Sequence, residues 1–255
     1  MIKRVIRQVV FYALLIAVWQ GAFYFGTSVF QLWKSYAFPN PHGVWQSLVS
    51  LLEQNLLFTA AWFSLRRAFI GFLLSILIGT IAGLAMSRLQ FLSVTAKPLV
   101  LGIQSLPSVC WVPFAILWFG LTESSILFVV IMGSAFSVSI AVESAIRNVN
   151  PVYVKAAKTM GAKGRVLYFR VILPASLPAL LTGLKQGWSF AWRALMAAEV
   201  MSASIGLGQT LMMGRDLADI NRVMLIIIII IIIGVLIEKF VFSLAEERAL
   251  KRIVL

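Results

Sequence analysis

Residues that most soluble enzymes rely on are scarce here. The 255-residue sequence holds one histidine, His42, one cysteine, Cys110, and nine acidic side chains. A lone cysteine inside an apolar run excludes an intrachain disulfide and any multi-cysteine metal site. A lone histidine leaves histidine zinc sites and serine–histidine catalysis without support, and His42 reads as an ordinary loop residue. No Gly-x-x-x-x-Gly-Lys-Ser/Thr phosphate loop occurs, so the chain is not itself expected to be an ATPase or any other enzyme. Charged residues make up 12% of the chain, where soluble domains carry about a quarter.

Apolar residues dominate instead, at 61% of the chain with a mean hydropathy of +0.96. A bilayer core needs about 20 consecutive apolar residues per spanning helix. Six stretches qualify, at 9–30, 65–86, 98–119, 124–142, 177–200 and 223–242. The last contains eight consecutive isoleucines at 226–233, which no water-facing helix carries. The expected fold is an all-α integral membrane protein of about six transmembrane helices, forming one membrane domain over 1–255. Lys3, Arg4 and Arg7 precede a first stretch longer than a signal-peptide core, so that stretch reads as a retained helix. Phe38-Pro39-Asn40-Pro41 reads as a turn, followed by a short amphipathic surface helix over 44–55.

The formal charge of +13 would raise nucleic acid as a partner in a soluble chain. Here the basic residues sit between spans and report topology, with no nucleic acid expected and membrane lipid as the surroundings. With the N-terminus inside, fifteen of the twenty-two lysines and arginines fall on the cytoplasmic side, including Arg88, Lys97, Lys239, Arg248, Lys251 and Arg252. Arg66 and Arg67 count among the outer residues. Both termini are expected to be cytoplasmic.

The longest inner loop, about 147–174, joins the fourth and fifth spans. Asn150 is an N-cap type and Pro151 suits a first helical turn, so a helix is expected there, ended or bent by Gly161 and Gly164. A short helix across this loop would suit the push of a soluble partner; a solvated basic loop touching anionic lipid is the alternative.

The spacing of Lys155-Ala156-Ala157, three residues, Gly161, nine residues, then Val171-Ile172-Leu173-Pro174 resembles the EAA loop of bacterial binding-protein-dependent ABC importer permeases. Lys155 stands where that family most often has glutamate, which reverses the charge at that position. Ala156, Ala157 and Gly161 supply the small surface that lets such a loop helix sit in a groove of the ATPase. Further resemblance, in Leu106-Pro107-Ser108, Leu181-Thr182-Gly183-Leu184 and Ala197-Ala198-Glu199, is to the nitrate, sulfonate, taurine and bicarbonate branch. The resemblance implies the type I ABC importer permease fold in a bacterial inner membrane. It implies a permease homodimer, two ATPase subunits that hold ATP and Mg, and an extracytoplasmic substrate-binding protein. Alternating access driven by that ATPase would follow, with ATPase coupling at Lys155, Ala156, Ala157, Gly161, Leu173 and Pro174 and no cofactor in this chain.

Two spans carry features expected of a pathway. In the third, Pro107 and Pro113 would each remove a helix hydrogen bond and free carbonyls near Ile103 and Val109. Gln104, Ser105 and Ser108 beside those breaks would then line a polar path; a kink that only packs the bundle is the alternative. In the fifth, Arg193 and Glu199 lie inside an apolar stretch, where charged side chains normally face a bundle interior or cavity. Lys185 lies two turns before Arg193, and snorkelling to headgroups is its expected fate. Glu199 is alternatively a fixer of the span's outer end. Gly206-Leu207-Gly208 suits a tight turn near a binding-protein dock. Gly71, Gly79 and Gly83 suit close helix packing within the chain. The expected cargo is a small anion of the aliphatic sulfonate, taurine, nitrate or bicarbonate class. A thiamine-precursor pyrimidine or riboflavin is the alternative cargo, and a secondary transporter or channel the alternative class.

Overall fold

A computed structural model describes residues 2–34, 37–244 and 246 of the protein, with side chains from residue 6 onward. Arg248, Lys251 and Arg252, assigned above to the cytoplasmic side, lie outside the described residues, as do the side chains of Lys3 and Arg4. Among the described residues there are helices and connections only. They are α1 (Ile2–Tyr24), α2 (Pro41–Glu53), α3 (Leu56–Arg88), α4 (Gln90–Gln104), α5 (Val112–Phe119) and α6 (Glu123–Arg147). After these come α7 (Pro151–Thr159), α8 (Gly164–Leu167), α9 (Leu173–Val200), α10 (Leu207–Asp216) and α11 (Ile220–Ile237).

Five helices are long and apolar enough to cross a membrane, at 6–29, 56–88, 123–147, 164–200 and 220–243. A sixth crossing would be the pair 90–104 and 108–119, which is bent by 96°. Expected continuous, the third span is broken. Leu106 precedes a proline and is therefore disfavoured in a helix, and Pro107 adopts φ −55°, ψ 132°. Pro113 lies in the first turn of α5, where a missing N–H goes unnoticed, and Ile103's carbonyl accepts from Leu106. The prolines therefore end and restart helices rather than freeing those two carbonyls within one.

The chain divides into two compact units. The first holds residues 1–62 and 205–231. There the Asn40 side chain caps α2 by accepting from Gly43 N–H, while its own N–H donates to Asn221 Oδ1 at 3.0 Å. Trp19 Nε1 donates to the Pro39 carbonyl at 2.9 Å, fixing the turn expected at 38–41 to α1.

The second unit holds 63–204 and 232–255 and is built around α6. Small residues let helices approach that core closely. A Cβ on Gly79 would come within 2.7 Å of the Ala135 carbonyl, and one on Gly83 within 2.7 Å of Val142 Cβ. On the other side, Gly187 faces Val138 and Gly133 faces Ala194. Without a hydrophobic drive between helices in lipid, such close backbone contact is what holds them together. The Ser134 hydroxyl, buried in the same seam, donates to Ser75 Oγ at 2.7 Å.

Candidate functional site

The break between α4 and α5 opens a cavity of about 310 Å³ in the second unit. Gln104 ends α4, Ser105 and Pro107 form the break, and Ser108 opens the short turn beyond it. Across the cavity stand Met132 and Gly133 of α6 and Phe190 and Arg193 of α9. Five residues singled out from sequence, Gln104, Ser105, Pro107, Ser108 and Arg193, thus line one space. Met132, Gly133 and Phe190 carried no sequence signal, being an apolar or small residue in an apolar span.

Arg193 is exposed on this side. Its Nε donates to the Ser189 carbonyl at 3.1 Å, and its guanidinium lies 4.7 Å from the centre of the Phe190 ring. Both contacts are within one turn of α9 and orient the side chain without adding a carboxylate to it.

A second cavity of about 370 Å³ follows along the same helices. Gln104 lines it too, joined by Ser137, Ser144 and Asn148 along α6 and by Thr182 and Gln186 of α9. The α6 lining recurs at 133, 137, 140 or 141, 144 and 148, which is one helical face. Among the described residues its polar lining is uncharged.

The loop between α6 and α9 folds as its residues dictate. Asn150 accepts from Val152 N–H, and Pro151 takes the first turn of α7. At the other end Ala162 N–H donates to the Ala157 carbonyl and Gly161 N–H to that of Lys158. That pair of bonds requires a left-handed residue at 161, where φ is +86°. Lys155 and Ala156 are exposed and Ala157 is buried; Leu173 is half-buried and Pro174 exposed at the start of α9.

Residues 75–249 match the family described as the binding-protein-dependent transport system inner membrane component. The chain belongs to that family. A protein from Bacillus subtilis named as an aliphatic sulfonates transport permease, SsuC, is 30% identical over 239 residues, 94% of this chain and 84% of its own. A protein of Methanocaldococcus jannaschii named as an ABC transporter permease is 33% identical over 69% of this chain; the match spans 66% of its own length. The taurine transport system permease TauC of Escherichia coli is 29% identical over 77% of this chain and 71% of its own. ThiX of Halalkalibacterium halodurans, a formylaminopyrimidine transport permease, is 27% identical over 80% and 78%. A crystal structure of an amino acid ABC transporter shares the fold, with TM-score 0.66 at 16% identity over 79% of this chain and 97% of that one.

The protein is therefore the permease of an ABC importer, and its buried charges take on meaning within that fold. Glu199, expected in the pathway, is fully buried away from both cavities. It accepts from Ser64 Oγ at 2.7 Å and Arg67 at 3.0 Å. Arg67, itself 3% exposed, also reaches Glu123 at 3.0 Å, which binds Arg66 at 3.2 Å. This cluster ties α3, the start of α6 and the end of α9 together. Arg66 and Arg67, assigned above to an outer connection, lie well inside α3, which begins at Leu56. The expected span began at residue 65, nine residues after the start of α3, and the pairing of the two guanidiniums lets the helix carry them.

A second cluster was missed entirely. Glu143, fully buried in the last turns of the permease's α6, accepts from Lys97 of α4 at 2.7 Å and from Arg147 at 3.4 Å. Arg147 also bonds the Ser93 side chain. The scarcity of acids was the available signal, since a carboxylate at the edge of an apolar stretch needs a partner. Lys185 pairs with Glu238 at 2.9 Å rather than snorkelling freely.

Proposed function

We propose that this permease works as a homodimer with two separate ATPase subunits and an extracytoplasmic binding protein, and carries a small organic or inorganic anion inward. ATP and Mg would be held by the ATPase subunits. The observation that carries the cargo assignment is Arg193, a cation with no carboxylate partner among the described residues, facing a cavity at a break in a membrane helix. At an effective dielectric of 20, opposite unit charges about 4 Å apart attract by about 4 kcal/mol, more than a neutral dipole offers. The names of SsuC and TauC support a sulfonate as first choice. In the same reading, the loop helix α7 with Lys155, Ala156, Ala157 and Gly161 receives the ATPase's motion. Leu173 and Pro174 pass it into α9, which carries Arg193. The N-terminus and this loop would face the cytoplasm.

Replacing Arg193 by alanine tests the pathway. Uptake of aliphatic sulfonate by the assembled importer should fall at every substrate level. Unchanged uptake removes Arg193 from the pathway. The likeness to ThiX favours a second reading, in which a pyrimidine stacks beside Phe190. That reading expects pyrimidine uptake to persist in Arg193→Ala and to fall in Phe190→Ala.

A further inference from the structure

A third cavity, of about 230 Å³, lies wholly within the first unit. Its lining is Gln46, Ser47, Ser50 and Leu51 of α2, with Asp219 and Arg222 at the start of α11. The Asn40 hydrogen bond to Asn221 ties α2 to that start, so the two walls are fixed against each other.

Two opposite charges line this space without answering one another. Asp219 Oδ1 accepts from the Arg222 backbone N–H at 3.0 Å and so caps α11. The Arg222 guanidinium makes no ion pair or hydrogen bond among the described residues. Packing places it instead: a Cβ on Gly214 would lie 3.3 Å from Arg222 Cγ, so the glycine makes room for the stem. Of its three nitrogens only Nε is enclosed, which leaves the outer edge of the guanidinium to meet whatever enters. Ser50 Oγ accepts from Gln54 Nε2 at 3.0 Å and keeps its own O–H to donate.

Depth along α11 identifies what can reach the cavity. Arg222 precedes the isoleucine run at 226–233 by four residues, about 6 Å along the helix, and Ile227 and Ile231 are exposed. The cavity therefore lies where hydrocarbon gives way to headgroups. Trp45, next to Gln46, and Leu217, two residues before Asp219, are exposed as well, and tryptophan is enriched at that boundary. The volume falls below the roughly 300–1,000 Å³ of pockets that enclose a whole organic ligand, and suits the end of a molecule whose remainder lies outside. An arginine with a donor hydroxyl suits a phosphate, while the carboxylate beside it repels a second negative charge and favours a cation.

We infer that this cavity holds the headgroup of a zwitterionic aminophospholipid, phosphatidylethanolamine. The phosphate pairs with Arg222 and accepts from Ser50, the ammonium donates to Asp219, and the acyl chains extend toward the isoleucine run. The site stands whether or not Arg193 serves the pathway.

The test is native mass spectrometry of the assembled importer, titrated in detergent with phosphatidylethanolamine, phosphatidylcholine or phosphatidylglycerol of identical chains. Phosphatidylcholine carries a cation without an N–H, and phosphatidylglycerol carries no cation. The tightest site should prefer phosphatidylethanolamine over either by about tenfold, the worth of one charge-assisted hydrogen bond. Asp219→Asn keeps the cap on α11, since asparagine caps as well, and should erase the preference over phosphatidylcholine. Arg222→Gln should weaken all three at that site by about tenfold. Equal affinity for the three lipids in the unaltered importer, or a preference untouched by Asp219→Asn, overturns the inference. So does soluble glycerophosphoethanolamine binding as tightly as the lipid, which would assign the cavity to a free phosphodiester. If Arg222→Gln leaves lipid binding intact but abolishes stimulation of ATP hydrolysis by the binding protein, the cavity is a protein dock and the inference falls.

Discussion

Arg193 and Glu199 lie on one helix, six residues and roughly 240° of turn apart, and their surroundings are opposite. Glu199 is wholly enclosed, with Ser64 and Arg67 bonded to its two oxygens. Arg193 is exposed to a cavity and, among the described residues, bonded only within its own helix. Both are charges in an apolar stretch, so position in the sequence does not separate them. What separates them is how much of each group's bonding capacity the protein has already used. A charge answered by a fixed counter-charge is part of the scaffold. One left open toward a cavity is available to something that comes and goes.

The contrast can be broken most directly at the enclosed end. Glu199→Gln takes the buried counter-charge from Arg67, which is 3% exposed, and leaves it with the more exposed Glu123, so it should cost about 3 kcal/mol. A sharp fall in melting temperature in detergent, with loss of a monodisperse peak, is the expected readout. Glu143→Gln should cost less, about 1.5–3 kcal/mol for bonds to a charged group, because Lys97 and Arg147 retain access to solvent. Gly79→Ala forces a methyl against the Ala135 carbonyl and should cost about 1–3 kcal/mol. An unchanged melting temperature there would show that the seam between α3 and α6 yields, and that the ion cluster is not held in register by it. The smallest expected change in stability is at the open end: Arg193→Met should stay within about 0.5 kcal/mol. A large loss of stability in that variant would erase the distinction and return Arg193 to the scaffold.

Local chemistry made much of this structure legible in the sequence. Asn150 and Gly161 fixed the ends of α7 through bonds with near neighbours, and Pro151 took its first turn. Gly71, Gly79 and Gly83 announced a tight seam. The eight isoleucines placed the last span. The cavity was partly visible too, since Pro107 marked the break and Arg193 the charge. Pairing across helices was the part that hydropathy hid. Arg67 read as one more basic residue of the outer side, although its partners are 56 and 132 residues away. The 96° bend was hidden for a related reason. Composition measures whether a segment tolerates lipid, and both arms of the broken pair do.

From Gly164 the chain is helical without interruption to Val200, through a wider turn at 168–172. Arg193 therefore sits on the same rod as the loop, about 29 residues and roughly 43 Å from its near end. A tilt of about 5° at that end would carry Arg193 sideways by roughly 4 Å at this length. That is comparable with the reach of an ion pair, so a small swing at the loop would be enough to make or break one at Arg193.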